Sequence, residues 1–271
     1  MQFELRNLRR ILPPQDYRRY LLRLAKAAPK VLAERNLGPV DRRMTETIEF
    51  VMDDARIAIP VGQVQDAIEP DDVTPTFGLA REMFGRNVYL RAFQKDMKAE
   101  RVVDLGSNRG FFLVQARQML GARRGIGVEA SSLYVPAFDA LSAANGMTAD
   151  AFFRVYKFAS ATSGPDTITM PEVLDLLGPG RVNFMKCDIE GGEYDVFGGD
   201  TSFLDHVDNA AFELHDGDNA MVQKAFTDRG YETLATCNFG RTVPVGEATF
   251  LYASCTGMLV PPSGDASGAA T

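Results

Sequence analysis

The chain has 271 residues, of which 45% are hydrophobic and 24% are charged, and its formal net charge is −7. This length is enough for one sizeable α/β domain with a modest N-terminal addition. The acidic balance argues against a nucleic-acid partner, and the sequence contains no stretch of about 18 apolar residues that would predict a membrane span.

The cysteines and the start of the sequence bear on the cellular compartment. Cys187, Cys237 and Cys255 are widely spaced and form no C-x-x-C pair, which is typical of a reduced compartment without a disulfide framework. The first residues contain no apolar core of the length that a signal peptide needs. From these features we expect a cytoplasmic protein.

Charge is unevenly distributed along the chain. Residues 1–43 contain eleven Lys or Arg and four acidic residues, a net charge of +7, which leaves −14 on the remainder. A basic helical arm of this kind could contact an acidic partner, an anionic membrane surface or the acidic body of a second copy. A homo-oligomer formed through the arm is therefore one expectation, and a solvated helix face is the alternative.

The first predicted element is a helix that Asp16 caps and that extends to about Glu34. Its apolar face would consist of Tyr20, Leu21, Leu24, Ala25, Ala28 and Leu32. We assign residues 1–95 to an N-terminal helical arm and a β-hairpin lead-in.

The hairpin is predicted over Thr47–Pro60, where apolar and polar residues alternate around Asp53 and Asp54. Residues 61–77 are acidic and contain prolines, which is typical of a loop. Residues 79–93 predict a helical lead-in that is interrupted near Gly85.

Strands and helices then alternate, which predicts a mostly parallel sheet in a domain over residues 96–258. The predicted strands are Arg101–Leu105, Gly125–Glu129, one within 151–159, a short one at Thr167, one ending near Asp188, one ending near Glu213 to Asp216, and two within 230–240 and 246–255. Helices are predicted up to Gly178 and from Ala220 to about Arg229. The last two strands would form a hairpin with a tight polar loop and give the sheet one antiparallel edge strand. Residues 259–271 are small and polar, and we expect a disordered tail.

The most informative string is VVDLGSNRGFF, residues 102–112. Val102 and Val103 are β-branched and predict the end of a buried strand. Gly106 and Gly110 enclose a polar turn, after which Phe111 begins a helical pattern. This arrangement is typical of the nucleotide-binding corner of an α/β fold, because glycine lets the backbone approach a ligand and a helix N-terminus offers free N–H groups.

The glycine spacing indicates which ligand this corner would take. The dinucleotide fingerprint is G-x-G-x-x-G, whereas this turn is G-x-x-x-G preceded by an acid. A carboxylate aimed at the turn would repel a pyrophosphate and would suit a cationic ligand with a free amino group, such as S-adenosylmethionine. NAD-type binding and a strand–turn–helix without a ligand are the alternatives. The residues assigned to donor binding at this turn are Asp104, Gly106, Ser107, Asn108, Gly110 and Phe111.

A second acid supports this interpretation. Glu129 ends the next predicted strand about 25 residues after Asp104, near the roughly 20 residues expected for an acid that binds ribose hydroxyls. The alternative is that Glu129 caps the following helix or faces water. We assign Glu129, with its neighbours Ala130 and Ser131, to donor binding.

Polar side chains end several predicted strands, and ligands of open parallel sheets bind beyond these carboxyl ends. The residues are Asp104, Glu129, Asp188 with Glu190, and Glu213 with His215. Any single one could be a helix cap or a solvated side chain. In the segment KCDIEGGEYDVFGG, Asp188, Glu190 and Glu193 place three carboxylates close together, which raises their pKa values unless a cation lies between them. That cation could be a metal ion, Lys186 or the sulfonium of the donor.

Three strings together resemble the FkbM-type family of S-adenosylmethionine-dependent methyltransferases. They are VVDLGSNRGFF, VEAS and TITMPEVLDLLG…VNFMKCDIEGGEYDVFGG, and the last matches that family's helix with the pattern L-D-L-L and its strand ending in K-x-D-x-E-G-x-E. The hairpin before Pro60 and the region of Tyr89 are similar to the family's lead-in, so the resemblance covers roughly residues 47–255. One departure is that Ser107-Asn108 stands where Ala-Asn is usual.

The resemblance implies the class I methyltransferase fold. This is a Rossmann-like α/β fold whose seven-stranded, mostly parallel sheet has the order 3-2-1-4-5-7-6 with helices on both faces, here preceded by the helical and hairpin extension. It also implies methyl transfer from S-adenosyl-L-methionine to a hydroxyl group of a small molecule or saccharide, such as a sugar, glycoside or other natural product. The alternative is a non-catalytic relative that binds the donor and acts through a partner.

The family is not uniformly metal-dependent. Some related sugar and catechol O-methyltransferases hold a divalent ion with acids at the ends of strands 4 and 5, and Asp188 and Glu213 occupy comparable positions. This motivates a site for Mg²⁺ or another divalent cation at these two carboxylates. The alternative is that Asp188 orients the backbone or the methionine part of the donor, and that Glu213 pairs with Arg or Lys.

His215 is the candidate general base, because an imidazole has an ordinary pKa of about 6.5, close to working pH. Asp188 and Glu190 complete the candidate catalytic set. Ser160, just after the third strand, is predicted to lie near the adenine of the donor.

Overall fold

The computed structural model describes residues 2–68 and 74–261. The helices are α1 (Gln2–Ile11), α2 (Pro14–Glu34), α3 (Gly38–Asp41), α4 (Val61–Asp66), α5 (Thr76–Arg86), α6 (Phe111–Gln115, continued by a π-helix over Ala116–Leu120), α7 (Val135–Ala144), α8 (Met170–Leu177), α9 (Glu193–Gly198) and α10 (Asn219–Thr227). The strands are β1 (Thr47–Met52), β2 (Ala55–Pro60), β3 (Arg101–Leu105), β4 (Arg124–Val128), β5 (Phe152–Val155), β6 (Phe158–Ala159), β7 (Thr167–Ile168), β8 (Phe184–Cys187), β9 (Asn209–Glu213), β10 (Glu232–Thr236) and β11 (Phe250–Ser254).

The chain divides into two compact units. The helical unit contains the described residues up to Asn87 together with Ser107–Gly121 and Ser131–Phe152, and the sheet unit contains Val88–Gly106, Ala122–Ala130 and the described residues from 153 onward. The predicted boundary after residue 95 does not coincide with these units. Residues 88–95 belong to the sheet unit because their aromatic rings pack on its strands, as the ring of Phe93 does at 5.0 Å from that of Phe184.

In the helical unit, α2 begins and packs differently from the prediction. Pro13 is the N-cap residue and provides no side-chain cap, while Asp16 lies in the first turn and accepts a hydrogen bond from Arg19 at 2.7 Å. The buried residues of α2 are Tyr20, Ala27 and Val31, whereas the predicted core residue Leu32 is 71% exposed. The buried stripe of the helix is therefore rotated away from the predicted one.

The predicted hairpin is confirmed, since β1 and β2 pair antiparallel with Met52 opposite Ala55. Asp53 in the turn has φ = 50°, a left-handed conformation that Asp tolerates better than most residues. The predicted loop over 61–77 is partly wrong, because α4 occupies its first residues and α5 begins at Thr76. The interruption predicted near Gly85 corresponds to the end of α5, where Asn87 adopts the left-handed conformation.

Buried charged residues connect several helices of this unit. The guanidinium group of Arg81 donates to Glu4 at 2.7 Å and to Asp41 at 3.1 Å. The hydroxyl of Tyr20 donates to the other oxygen of Asp41 at 2.9 Å, and Arg86 donates to Glu4 at 2.7 Å. We call Glu4, Tyr20, Asp41, Arg81 and Arg86 the arginine cluster.

The sheet unit is organised around a sheet whose order is β10-β11-β9-β8-β3-β4-β5 among the described residues. When its seven strands are renumbered 1 to 7 along the chain and the sheet is described starting from β5, the order is 3-2-1-4-5-7-6. The pairs β3–β4, β3–β8 and β8–β9 are parallel. β11 is antiparallel to both β9 and β10, so the antiparallel strand lies second from the edge and not at the edge as predicted. The connection between β10 and β11 is also not tight, because it extends from 237 to 249 and includes a 3₁₀ turn.

Helices α8, α9 and α10 cover one face of this sheet. Their buried residues Val173, Val196 and Phe226 share a hydrophobic core with strand residues such as Val103 and Phe212. The predicted helix before Gly178 is α8, and it begins with a capping box in which Thr169 and Glu172 satisfy each other's backbone N–H groups.

The C-terminal end of the described chain is ordered up to Val260. Leu259 forms an isolated β-bridge with Phe93, and the backbone N–H of Val260 donates to Ala92 at 2.9 Å. The rest of the predicted tail, residues 262–271, lies outside the described residues. Within residues 2–68 and 74–261, no helix combines the length and apolar character that crossing a bilayer requires.

Candidate functional site

Four polar side chains lie at the carboxyl ends of neighbouring strands in the sheet unit. Asp104 is the fourth residue of β3, Asp188 follows β8 directly, and Glu213 ends β9 with His215 two residues later. Because β3, β8 and β9 are parallel neighbours, their carboxyl ends share one edge of the sheet. Tyr89 and Lys186 complete this group, which we call the strand-end cluster: Tyr89, Asp104, Lys186, Asp188, Glu213 and His215.

Asp104 is a fully buried carboxylate with an incomplete set of partners. Its Oδ1 lies 3.2 Å from the ammonium of Lys186, but neither oxygen accepts a hydrogen bond from any part of the chain that the structure describes. Lys186 instead donates to the carbonyl groups of Leu105 and Gly106, at 3.2 and 2.6 Å. Burial raises the pKa of Asp104 to about 6, although Lys186 opposes the shift.

Tyr89 connects two further acids. Its buried hydroxyl lies 2.8 Å from Asp188 Oδ2 and 3.3 Å from Glu213 Oε2, and its ring lies 5.3 Å from the ammonium of Lys186. Burial, reinforced by the charge of Asp188, raises the pKa of Glu213 to about 7. Burial also works against the charge of Lys186, but Asp104 and Asp188 outweigh it and raise the pKa of that lysine. Tyr89 was not predicted to belong to the site, because it lies 99 residues from Asp188 in a segment expected to be helical.

His215 lies among three carboxylates. Its Nε2 is 3.4 Å from Glu190 Oε2 and 3.8 Å from Asp188 Oδ1, and its Nδ1 is 3.3 Å from Glu193 Oε1. The predicted catalytic residues His215, Asp188 and Glu190 are therefore neighbours in the fold. Glu190 has φ = 54°, a conformation that is uncommon outside glycine and that presents its side chain, 88% exposed, beside His215.

The same three residues form the arrangement most suited to a metal ion. One potential ligand atom from each of Asp188, Glu190 and His215 lies within 4.8 Å of the others. Glu213, the predicted partner of Asp188 at a metal, is not in this group but interacts with Tyr89. Two carboxylate oxygens and an imidazole nitrogen are ligands that several divalent cations accept.

The glycine turn after β3 requires its first glycine on steric grounds. Gly106 has φ = 72°, and a Cβ there would lie 1.6 Å from the carbonyl oxygen of Asp188. Its backbone N–H donates to Val128 of β4 at 2.9 Å. In the helical unit, Gly110 has φ = 89°, and a Cβ on it would lie 2.3 Å from the ring of Phe138. Both glycines therefore allow a close approach, of the Asp188 main chain at Gly106 and of the Phe138 ring at Gly110. Their predicted contact with the donor stays a prediction.

The other residues predicted to bind the donor belong partly to each unit. In the helical unit, Ser107 and Phe111 are buried, Asn108 accepts from the backbone N–H of Arg109 at 2.8 Å, and Ser131 accepts from Leu133 at 3.3 Å.

In the sheet unit, Glu129 is half-buried and Ala130 is exposed, directly after β4. Ser160, predicted near the adenine, donates its hydroxyl hydrogen bond to Asp195 at 2.7 Å. Their assignment to donor binding stays a prediction.

The family model of the FkbM methyltransferase domain matches residues 92–233, just over half of the chain. Among curated proteins there is no match. Among solved structures, the chain is similar to precorrin-6y C5,15-methyltransferase from Geobacter metallireducens GS-15, with 12% identity over 69% of this chain and 93% of that chain and a TM-score of 0.43. It is also similar to an S-adenosylmethionine-dependent methyltransferase from Geobacter sulfurreducens in complex with S-adenosyl-L-homocysteine, with 19% identity over 43% and 42% of the two chains and a TM-score of 0.29.

Proposed function

The chain belongs to the FkbM methyltransferase family, and on this premise we propose that it is an S-adenosylmethionine-dependent O-methyltransferase. Its acceptor would be a hydroxyl group of a sugar, glycoside or other natural product. The main support for a cationic donor is Asp104, a fully buried carboxylate whose oxygens accept no hydrogen bond from the described residues. Lys186 is an ionic neighbour of this buried carboxylate, but hydrogen-bond donors are missing, so a ligand that supplies N–H donors would stabilise it.

The residues around Asp104 fit the methionine end of such a donor. The carboxylate of Asp104 would accept hydrogen bonds from its ammonium group. Glu129 would accept hydrogen bonds from the ribose hydroxyls. When bound, the donor supplies an activated methyl group attached to a positively charged sulfur.

His215 is the proposed general base. The proton of the acceptor hydroxyl would go to Nε2 of His215, and the oxygen would use the freed electron pair for its new bond to the methyl carbon, while the carbon–sulfur pair leaves with the sulfur. Asp188 and Glu190, at 3.8 and 3.4 Å from Nε2, would stabilise the imidazolium that results. The reaction also depends on holding the hydroxyl oxygen in line with the methyl group.

A divalent cation is a second proposal for the same residues. Asp188, Glu190 and His215 offer two oxygen ligands and one nitrogen ligand, and a bound cation would lower the pKa of a coordinated hydroxyl. Calorimetric titration of the full chain with Mg²⁺ and Mn²⁺, with Asp188→Asn as the comparison, tests it. Absence of a binding signal that depends on Asp188 would contradict a metal at this position.

Calorimetry with S-adenosylmethionine and S-adenosylhomocysteine tests the proposed donor. We expect saturable binding of both to the folded full chain, and a complete absence of heat for both would contradict the proposed function. Incubation with a methyl-labelled donor and a panel of glycosides then tests the acceptor class, because label should appear on a hydroxyl oxygen. Label transferred to nitrogen or sulfur would contradict O-methylation while leaving methyl transfer intact.

A further inference from the structure

Glu193 contacts the side of His215 that faces away from Asp188 and Glu190. It is the first residue of α9, and its side chain is 0% exposed. One carboxylate oxygen, Oε1, lies 3.3 Å from Nδ1 of His215. The other ring nitrogen, Nε2, is the one near the two remaining carboxylates. The imidazole therefore has the buried carboxylate of Glu193 beside Nδ1. Beside Nε2 it has the partly exposed carboxylate of Asp188 and the exposed carboxylate of Glu190.

The backbone of the preceding loop fixes the carboxylate of Glu193. The N–H of Ile189 donates to Oε1 at 2.8 Å, and the N–H of Gly191 donates to Oε2 at 2.9 Å. Since each oxygen already receives a hydrogen bond from the backbone, the carboxylate acts as an acceptor toward its surroundings. A nitrogen that makes a hydrogen bond to it must then be the donor.

This arrangement determines where the hydrogen of a neutral His215 belongs. A neutral imidazole has one N–H and one lone pair, and the hydrogen bond made by one nitrogen decides the state of the other. With the hydrogen on Nδ1, facing Glu193, the lone pair belongs to Nε2. That lone pair is on the side of Asp188 and Glu190, where a hydroxyl group could donate its proton.

We propose that Glu193 is a positioning residue that holds His215 in the tautomer with its hydrogen on Nδ1 and its basic lone pair on Nε2. The role of that lone pair in methyl transfer rests on the proposed function. The tautomer itself does not, so the two can be tested separately.

Nitrogen NMR of the full chain tests the tautomer without donor or acceptor. The sequence has two histidines, His206 and His215, so a two-bond hydrogen–nitrogen spectrum of ¹⁵N-histidine protein is assigned with the single variant His206→Gln. In the spectrum of the neutral ring we expect a protonated, pyrrole-type Nδ1 and a pyridine-type Nε2 for His215. A neutral wild-type ring with its hydrogen on Nε2 overturns the proposal.

Two substitutions show whether Glu193 determines the tautomer of His215. In Glu193→Ala the preference for Nδ1–H should be lost, and the fraction of His215 with hydrogen on Nε2 should rise. In Glu190→Gln, the matched control from the same loop, the tautomer should remain as in the wild type, because Glu190 approaches Nε2 and not Nδ1. An unchanged tautomer in Glu193→Ala, in protein that still unfolds cooperatively, overturns the role of Glu193.

Kinetics separate positioning from a purely structural role once an acceptor is identified. Glu193→Gln should lower kcat by roughly tenfold or more, with little change in the KM of either substrate. In a His215→Ala background the same substitution should have little further effect, because the residue through which Glu193 acts is gone. Equal losses in both backgrounds would mean that Glu193 only supports the loop, and would overturn the proposal.

Discussion

The arginine cluster and the strand-end cluster are both buried or partly buried groups of charged residues, but their partners differ. In the arginine cluster, Arg81 and Arg86 face Glu4 and Asp41, and Tyr20 donates to the remaining oxygen of Asp41. In the strand-end cluster, Lys186 faces the carboxylates of Asp104 and Asp188, with Glu213 nearby. The first cluster is balanced in charge, whereas the second has an excess of acids.

This difference indicates what each cluster contributes. A buried group whose charges are all paired ties helices together, and removing one partner is costly because the other stays buried. A buried carboxylate without a full set of donors costs stability in the free protein and is a typical feature of a binding site. We therefore expect substitutions in the arginine cluster to affect mainly stability, and those in the strand-end cluster to affect mainly binding and turnover.

The largest effect is expected for His215→Ala. If His215 is the general base, turnover should fall by roughly 10²–10⁴-fold while donor affinity stays the same. Steady-state kinetics together with calorimetry for the donor measure both quantities. His206→Ala, the other histidine of the chain, is the matched control and should retain wild-type turnover. Unchanged turnover in His215→Ala would remove this residue from the mechanism.

Arg81→Met should have the largest effect on stability. It leaves Asp41 buried without its cation and removes one partner of Glu4, which should lower the free energy of unfolding by about 3–5 kcal/mol. Denaturation in urea measures this loss. Arg56→Met removes an exposed ion pair with Glu49 in the same unit, and we expect a loss of at most about 1 kcal/mol. Similar losses for the two variants would contradict the contrast between buried and exposed pairs.

Asp104→Asn tests the strand-end cluster by ligand affinity. Replacing a carboxylate that binds an ammonium group should cost about 1.5–3 kcal/mol, which is a roughly 10–150-fold increase in the Kd for S-adenosylmethionine. Calorimetry measures the change. The exposed acid Asp175 of α8 provides the control, because Asp175→Asn should leave the Kd unchanged. A wild-type Kd in Asp104→Asn would mean that the donor ammonium is bound elsewhere.

A smaller effect follows from the raised pKa of Asp104, which burial brings to about 6. The ionised carboxylate is the form that binds a cation, and below this pKa the free protein holds a proton there. Donor affinity should therefore fall as the pH is lowered through about 6, by at most about tenfold per pH unit. Calorimetry across this range should show the dependence in the wild type and not in Asp104→Asn. An affinity that rises toward acid pH would contradict the assignment.

Much of the sheet unit could be predicted from the sequence. The largely apolar runs that form β3, β8 and β9 lead into polar residues, and this pattern predicts that Asp104, Asp188 and His215 lie at one edge of the sheet. Such predictions succeed because a buried parallel strand must be continuously apolar and its end is where polar groups become acceptable.

The helical unit and the partners within the site were harder to predict. The buried face of α2 was misjudged because its apolar residues lie on more than one side of the helix, and Leu22 and Leu32 remain exposed. Tyr89 was not assigned to the site, and Glu193 was predicted only as a third carboxylate near Asp188 and Glu190. The contacts of Tyr89 with Asp188 and of Glu193 with His215 are not encoded by any local pattern. The length of the loop between β10 and β11 could not be predicted either, because the pattern of strand residues does not show where each strand ends.

The contact between Gly106 and Asp188 has a consequence for the evolution of the protein. No side chain fits at position 106, because even a methyl group would overlap the main chain at Asp188, whereas a methyl group at Gly191 would meet no atom within 4 Å. A library of all amino acids at each position should therefore return only glycine at 106 among functional clones, whereas at 191 the φ of 97°, and not a steric overlap, limits replacement. Descendants with new acceptors would therefore inherit the bend at Gly106 unchanged.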